Sequence, residues 1–119
     1  MPSGTALRGV DFSSMSTQDK IDLLHRILER RIHGISFSPY LDGQAPGDEM
    51  SEEQIRARLA IIAPYTHWLR TFRCIEGNQH VPRIAREFGL KNMVGVDLTE
   101  DLERNEVELA AGSEIAQAG

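Results

Sequence analysis

The chain has 119 residues, 40% of them hydrophobic and 26% charged, a composition that predicts one soluble, globular domain. A formal net charge of −5 argues against general nucleic-acid binding, and we expect no nucleic acid among its partners. The acidity belongs to residues 99–119, whose six acids and one base sum to −5, and this segment predicts a solvated helix face.

The first half of the chain predicts a loose start and two helices with a strand between them. Residues 1–15 are small and polar, so we expect a flexible N-terminus. Ser16 can cap a helix that runs to about Arg31, and Ser51 can cap a second one after a strand at 32–39 and a loop at 41–50. The apolar stripes of these helices are Ile21, Leu24, Ile27 and Leu28 in the first, and Ile55, Leu59 and Ile62 in the second.

The second half predicts two further strand-helix pairs. Residues 66–74 are rich in aromatic and β-branched side chains and predict the second strand. Pro82 suits the first turn of the next helix and Gly89 its C-terminal cap. Residues 91–98 predict the third strand, after which Thr99 can cap the last helix. The inward positions of these two helices are expected at Ile84, Ala85 and Phe88, and at Val107, Ala111 and Ile115.

The order of the elements, one helix and then three strand-helix pairs, predicts a parallel sheet with right-handed crossovers. No glycine-rich phosphate loop follows any strand and the four histidines lack metal spacing, so neither a cofactor nor a metal site is predicted. The single cysteine, Cys74, permits no internal disulfide and suits a reducing compartment. With no signal peptide and no apolar run near the roughly 20 residues that cross a bilayer, a cytoplasmic protein without a membrane span is expected.

Three segments carry a resemblance to a known family: GISFSPYLDGQAP at 34–46, IAPYTHWLRTFRCIEGN at 62–78 and GLKNMVG at 89–95. With these segments, residues 31–119 resemble the start of bacterial family 17 glycoside hydrolases, which act on β-1,3-glucans as hydrolases or transglycosylases. The resemblance implies a partial (β/α)8 TIM barrel at 16–119, with three parallel strand-helix units preceded by an N-terminal helix. Active sites of such barrels lie at the carboxyl ends of the strands.

The resemblance implies five substrate-binding residues, with a β-glucan or oligosaccharide as the partner. Ser38 and Tyr40 would follow the first strand, Arg70 and Phe72 would lie on the second, and Asp97 would stand at the end of the third. An aromatic ring beside hydrogen-bonding groups suits a sugar, although the family has a tyrosine at Phe72 and a tryptophan at Asp97. Plain barrel packing is the alternative for Tyr40 and Phe72.

Arg70 lies inside a predicted strand, where an unpaired charge is costly, so it is expected to pair with Asp97. The alternative is that Asp97 caps the last helix and never meets Arg70.

The family's two catalytic carboxylates stand on the fourth and seventh strands, so no catalytic residue is predicted among these three units. The pair Asn105-Glu106 is interpreted as surface charge. We therefore expect a truncated glycoside hydrolase-like domain that is inactive as an isolated chain. A non-catalytic module that binds carbohydrate or a partner is the alternative. Phe37, Leu69 and Val94 are expected on an uncovered sheet face, which would favour self-association.

Overall fold

The structure, a computed structural model, describes residues 7–119, so residues 1–6 of the predicted flexible start lie outside the described residues. Residues 12–14 of that start form a short 3-10 helix capped by Asp11. The described residues form three parallel strands in the order β1-β2-β3 and four α-helices, which confirms the α/β class and the strand-helix alternation. The elements are α1 Thr17–Glu29, β1 Ile32–Ser36, α2 Glu52–Ile62, β2 Thr66–Thr71, α3 Val81–Glu87, β3 Lys91–Val94 and α4 Leu102–Ala118.

All three strands end before their predicted C-termini. Pro39 has no N–H to continue the first ladder. Beyond β2 and β3, the backbone N–H groups of Cys74 and Asp97 donate to the carboxylate of Glu108 instead of to a neighbouring strand. Where the sequence still predicts β-structure, the Glu108 side chain of α4 therefore accepts the backbone hydrogen bonds that a neighbouring strand would otherwise accept.

One face of the sheet packs against α2 and α3 and holds the core. Leu69 of β2 and Phe37, which directly follows β1, meet apolar side chains of both helices there, which confirms the stripes predicted for α2 and α3. The hydroxyl of Ser51 accepts from the N–H of Gln54 at 3.1 Å, as predicted for the cap of α2. The helical members of the core are Ile55, Leu59, Val81, Ile84 and Ala85, with Ile62 and Phe88 packed at its border.

No helix among residues 7–119 packs on the opposite face of the sheet, and the composition of this face differs from the expectation. Phe37 and Leu69 face the helices, and Val94 lines a cleft of about 490 Å³ between β3, α3 and α4, so none of the three lies on the uncovered side. Because side chains alternate along a strand, the register places the residues between them on that side. We call this surface the open sheet face; its members are Gly34, Ser36, Trp68, Arg70, Lys91 and Met93.

α1 stands away from the core. Ser16 and Asp19 form the predicted capping box. Of the apolar stripe, Ile27 and Leu28 are half-buried and Leu24 is 52% exposed, and no residue of the helix is fully buried. The helix is tied to the body where the guanidinium of Arg31 donates to the carbonyl of Ala63 at 3.0 Å. The radius of gyration, 17.6 Å, exceeds the roughly 13–14 Å of a compact domain of this length, as a projecting helix requires.

α4 begins and faces differently from the prediction. The N-cap of α4 is Asp101 rather than Thr99. The side chain of Asn105 accepts from the backbone N–H of Thr99 and donates to the Thr99 carbonyl oxygen, and these bonds hold Thr99 outside the helix. Val107, expected inside, is 58% exposed, and the neighbouring Glu108 is the buried residue of the helix. Within residues 7–119, no helix has the length and apolarity that a membrane crossing requires.

Candidate functional site

An ion network centred on Arg73 lies at the carboxyl ends of β2 and β3. The Arg73 guanidinium contacts the carboxylate of Glu76 at 3.0 Å and that of Asp97 at 2.9 Å. Arg104 of α4 adds a second cation to Asp97, at 3.2 Å from its carboxylate and 3.2 Å from its carbonyl oxygen. Asp97, one of the predicted site residues, is therefore held from two sides at the edge where a barrel site would lie.

Glu108 fixes the backbone beneath this network. Its Oε1 accepts from the N–H of Cys74 at 2.7 Å and from that of Asp97 at 3.0 Å, and the residue has no exposed surface. Its Oε2 has no hydrogen-bond partner among the described residues. Gly112, one turn later, allows α4 to approach this closely, because a Cβ there would lie 3.1 Å from a methyl group of Val96. The carboxylate thus joins the ends of two strands to α4.

Cys74 is buried in this region and is not built as a nucleophile. Its thiol donates to the carbonyl oxygen of Gly95 at 3.3 Å. Burial, reinforced by the nearby Glu108 carboxylate, raises the pKa of the Cys74 thiol to about 11. The thiolate that nucleophilic catalysis requires is therefore disfavoured at neutral pH.

Arg70 does not pair with Asp97, and both sequence-based accounts of Asp97 are wrong. The carboxylate pairs with Arg73 and Arg104, and the helix cap is Asp101. Arg70 lies beside Met93 on the open sheet face, several residues short of the loop that carries Asp97. Its guanidinium carbon instead lies 4.9 Å from the centroid of the Phe72 ring, a cation–π contact.

The two predicted residues after β1 have other described contacts. Ser38 lines a groove of about 290 Å³ with Arg58, at the outer edge of β1. Tyr40 is half-buried, and its carbonyl oxygen accepts from Arg58 at 3.1 Å. The structure therefore brings Arg70 and Phe72 into contact and places Asp97 in the ion network of Arg73. Their role in substrate binding stays a prediction.

The open sheet face contains side chains that the sequence analysis missed. A concavity of about 360 Å³ lies over it, lined by Ser36, Trp68, Arg70 and Met93 among others. The ammonium of Lys91 lies 5.3 Å from the Trp68 ring centroid, a second cation–π contact. The signal was available in the alternation of THWLRT, which puts Trp68 and Arg70 on the side opposite Leu69.

The described residues provide no pair of free carboxylates at the strand ends. Retaining glycosidases need two carboxyl groups about 5–5.5 Å apart, one as acid/base and one as nucleophile. Here Asp97 and Glu76 both bind Arg73, and Glu108 is buried on backbone N–H groups. In the same part of the chain, no three His, Cys, Asp or Glu side chains are grouped to hold a metal ion.

Comparisons with models of protein families, with curated proteins and with solved structures find no match for this chain. The resemblance to family 17 glycoside hydrolases therefore stays a prediction.

Proposed function

We propose that this chain is a glycoside hydrolase-like unit of a (β/α)8 barrel that binds β-1,3-glucan at the carboxyl ends of β1–β3 and does not hydrolyse it alone. Two features support the proposal: the three segments that resemble family 17 glycoside hydrolases, and a parallel sheet with strand-helix alternation. The single observation that carries the binding site is the Arg70–Phe72 pair at the end of the middle strand.

This pair suits a sugar for a physical reason. Phe72 is 41% exposed, so its ring offers an apolar surface to the C–H face of a pyranose. The guanidinium of Arg70 has five N–H donors and no carboxylate partner among residues 7–119, so donors remain for sugar hydroxyls. An apolar wall with a few placed polar groups is the usual composition of a small-ligand site.

Binding without hydrolysis follows from the carboxylates. The acids that contact the ends of β2 and β3, which are Glu76, Asp97 and Glu108, are bound by a guanidinium or by backbone N–H groups, so none of these three is free to attack a sugar carbon. We therefore expect no release of reducing sugar from β-1,3-glucan by the purified chain. Reducing-sugar release that persists through repeated purification would contradict this expectation.

Trp68 is the only tryptophan and lies on the same face as Arg70, so its fluorescence can report binding. Titration with a β-1,3-gluco-oligosaccharide should give a saturable change, and a β-1,4-linked oligosaccharide of equal length a smaller one. Phe72→Ala and Arg70→Ala should each weaken binding by about tenfold, the loss of one good contact. Tyr65→Ala is the matched control, because this exposed aromatic residue directly precedes β2, at the amino ends of the strands and away from the proposed site.

A second candidate function, binding of a partner chain, is favoured by the uncovered sheet. Met93 is 61% exposed and Trp68 only half-buried on a face that α/β folds ordinarily cover. Exposed apolar surface of this kind marks an interaction site.

A further inference from the structure

The open sheet face is both apolar and basic. Trp68 and Met93 provide the apolar surface, and Arg70 and Lys91 the positive charge. Neither cation takes part in any ion pair among residues 7–119, and no acid belongs to this face. A surface that covers this face would therefore need both apolar and negatively charged groups.

The outer face of α4 has the complementary composition. At about 100° per residue, the side of the helix opposite the buried Glu108 carries large aliphatic and acidic residues, all exposed. Leu102 is the most exposed of them, at 75%. None of the acids on this side forms an ion pair within the described residues. This outer face of α4 comprises Leu102, Glu103, Glu106, Val107 and Leu109.

The two surfaces also match in size. An α-helix with its side chains is about 10–12 Å wide, and three strands at about 4.8 Å spacing span about 10 Å between the outer two. One helix therefore covers a three-stranded sheet. Two open sheet faces would not cover each other as well, because Arg70 and Lys91 of one copy would meet those of the other.

The two surfaces point in opposite directions within one copy. α4 lies on the helix-covered side of the sheet, where the guanidinium of Arg86 in α3 donates to the carbonyl oxygen of Gly119. Two copies therefore cannot each bind the other's α4 on the open sheet face at the same time, because each copy would have to turn two opposite sides toward its partner. Association through these surfaces is head to tail and leaves one surface free at each end.

We propose that the open sheet face of one copy binds the outer face of α4 of a second copy, and that the chain assembles head to tail. The aliphatic side chains of α4 pack on Trp68 and Met93, and its glutamates reach Arg70 and Lys91. This proposal goes beyond the proposed glucan binding and does not depend on it, because nothing in the contact requires a sugar.

Sedimentation velocity of the full chain tests the proposal. In about 0.01 M salt, where charges act over about 30 Å, the weight-average mass should rise with concentration above the 13.3 kDa of one copy and reach no plateau at a dimer. In about 1 M salt, where charges act over about 3 Å, the mass should fall back towards one copy.

Charge reversal gives the sharper result. Lys91→Glu alone and the double variant Glu103→Lys, Glu106→Lys alone should each remain single copies at low salt, because like charges then meet. An equimolar mixture of the two should assemble again, because every junction in the mixture joins opposite charges. Lys20→Glu, on the exposed surface of α1, is the matched control and should assemble like the unaltered chain.

Three results would overturn the proposal: a single copy at every concentration in low salt, a plateau at the mass of a dimer, or variants that do not recover assembly on mixing. Thermal melts of each variant establish that it is folded before mixing. Because Lys91 lies outside the Arg70–Phe72 pair, the glucan affinity of Lys91→Glu should equal that of the unaltered chain when both are titrated in about 1 M salt, where neither assembles. Loss of assembly and loss of glucan binding are thus distinguishable.

Discussion

Replacing Glu108 with alanine should be among the most damaging single substitutions in α4. The side chain is fully buried and its Oε1 satisfies the N–H groups of Cys74 and Asp97 together. Alanine leaves both N–H groups without an acceptor at the ends of two strands. The ion network of Asp97 rests on the same backbone, so the whole carboxyl edge of the sheet should loosen.

The magnitude follows from those contacts. Each buried N–H left without an acceptor costs about 1–3 kcal/mol, and the lost methylene adds about 0.8 kcal/mol. Relief of the buried carboxylate, whose Oε2 has no partner in the described part of the chain, offsets some of this loss. We expect a net decrease of about 3–5 kcal/mol in the free energy of unfolding, as for other broken buried charge contacts. A domain of this size has only about 5–15 kcal/mol in total.

Urea unfolding followed by far-ultraviolet circular dichroism measures this change. Glu108→Gln keeps an oxygen that can accept both N–H groups, so it should cost less than about 1.5 kcal/mol. With both variants measured in about 1 M salt, where the chain is expected to be a single copy, Glu106→Ala is the matched control, since this glutamate is exposed on the same helix, and its effect should stay within about 0.5 kcal/mol. If Glu108→Ala were no less stable than Glu106→Ala, the structural role assigned to the buried carboxylate would be wrong.

Two further predictions concern residues near this edge. Gly77 has φ +96°, and a Cβ there would meet the backbone carbonyl of Met50, so Gly77→Ala should lower the free energy of unfolding by at least about 2 kcal/mol. Gly89→Ala is the control and should cost about 1 kcal/mol, because φ is +72° there and the space is open. Equal urea midpoints for the two variants would refute the clash at Gly77. The pKa of the Cys74 thiol is raised from 9.0 to about 11, so the folded chain keeps this proton to higher pH than the unfolded chain does. The contribution of the protonated thiol to the free energy of unfolding is therefore complete below pH 9 and is lost as the pH rises to 11. The fall should reach about 3 kcal/mol relative to Cys74→Ala, and parallel stability profiles of the two proteins would contradict it.

The features that the sequence predicted correctly are local ones. Ser16 and Ser51 cap their helices because the partner N–H lies three residues along the chain. Gly89, with φ +72°, follows the end of α3 as its position after an apolar stripe indicated. The alternation of strands and helices likewise depends only on nearby spacing, and it was sufficient for the order of the sheet.

The features that it missed depend on distant neighbours. The pattern of β2 separates Leu69 from Trp68 and Arg70, but it does not say which side the helices cover. Glu108 is buried because two backbone N–H groups, 34 and 11 residues away, converge on it, and no local pattern marks a glutamate for that position. In the same way, Asp97 pairs with Arg73 rather than with Arg70. Asp97 and Arg73 both lie beyond the ends of their strands and come together only when the sheet has formed.

The most direct test of the central claim is a map of backbone amide chemical shifts during titration with a β-1,3-gluco-oligosaccharide. It is best recorded on Lys91→Glu in high salt, so that assembly does not contribute. Glucan binding at the Arg70–Phe72 pair predicts saturable shifts that centre on Arg70, Phe72 and Arg73 and leave the amino ends of the strands, such as Thr66, unchanged. Shifts that are absent at saturating oligosaccharide, or that centre on the amino ends, would contradict the account.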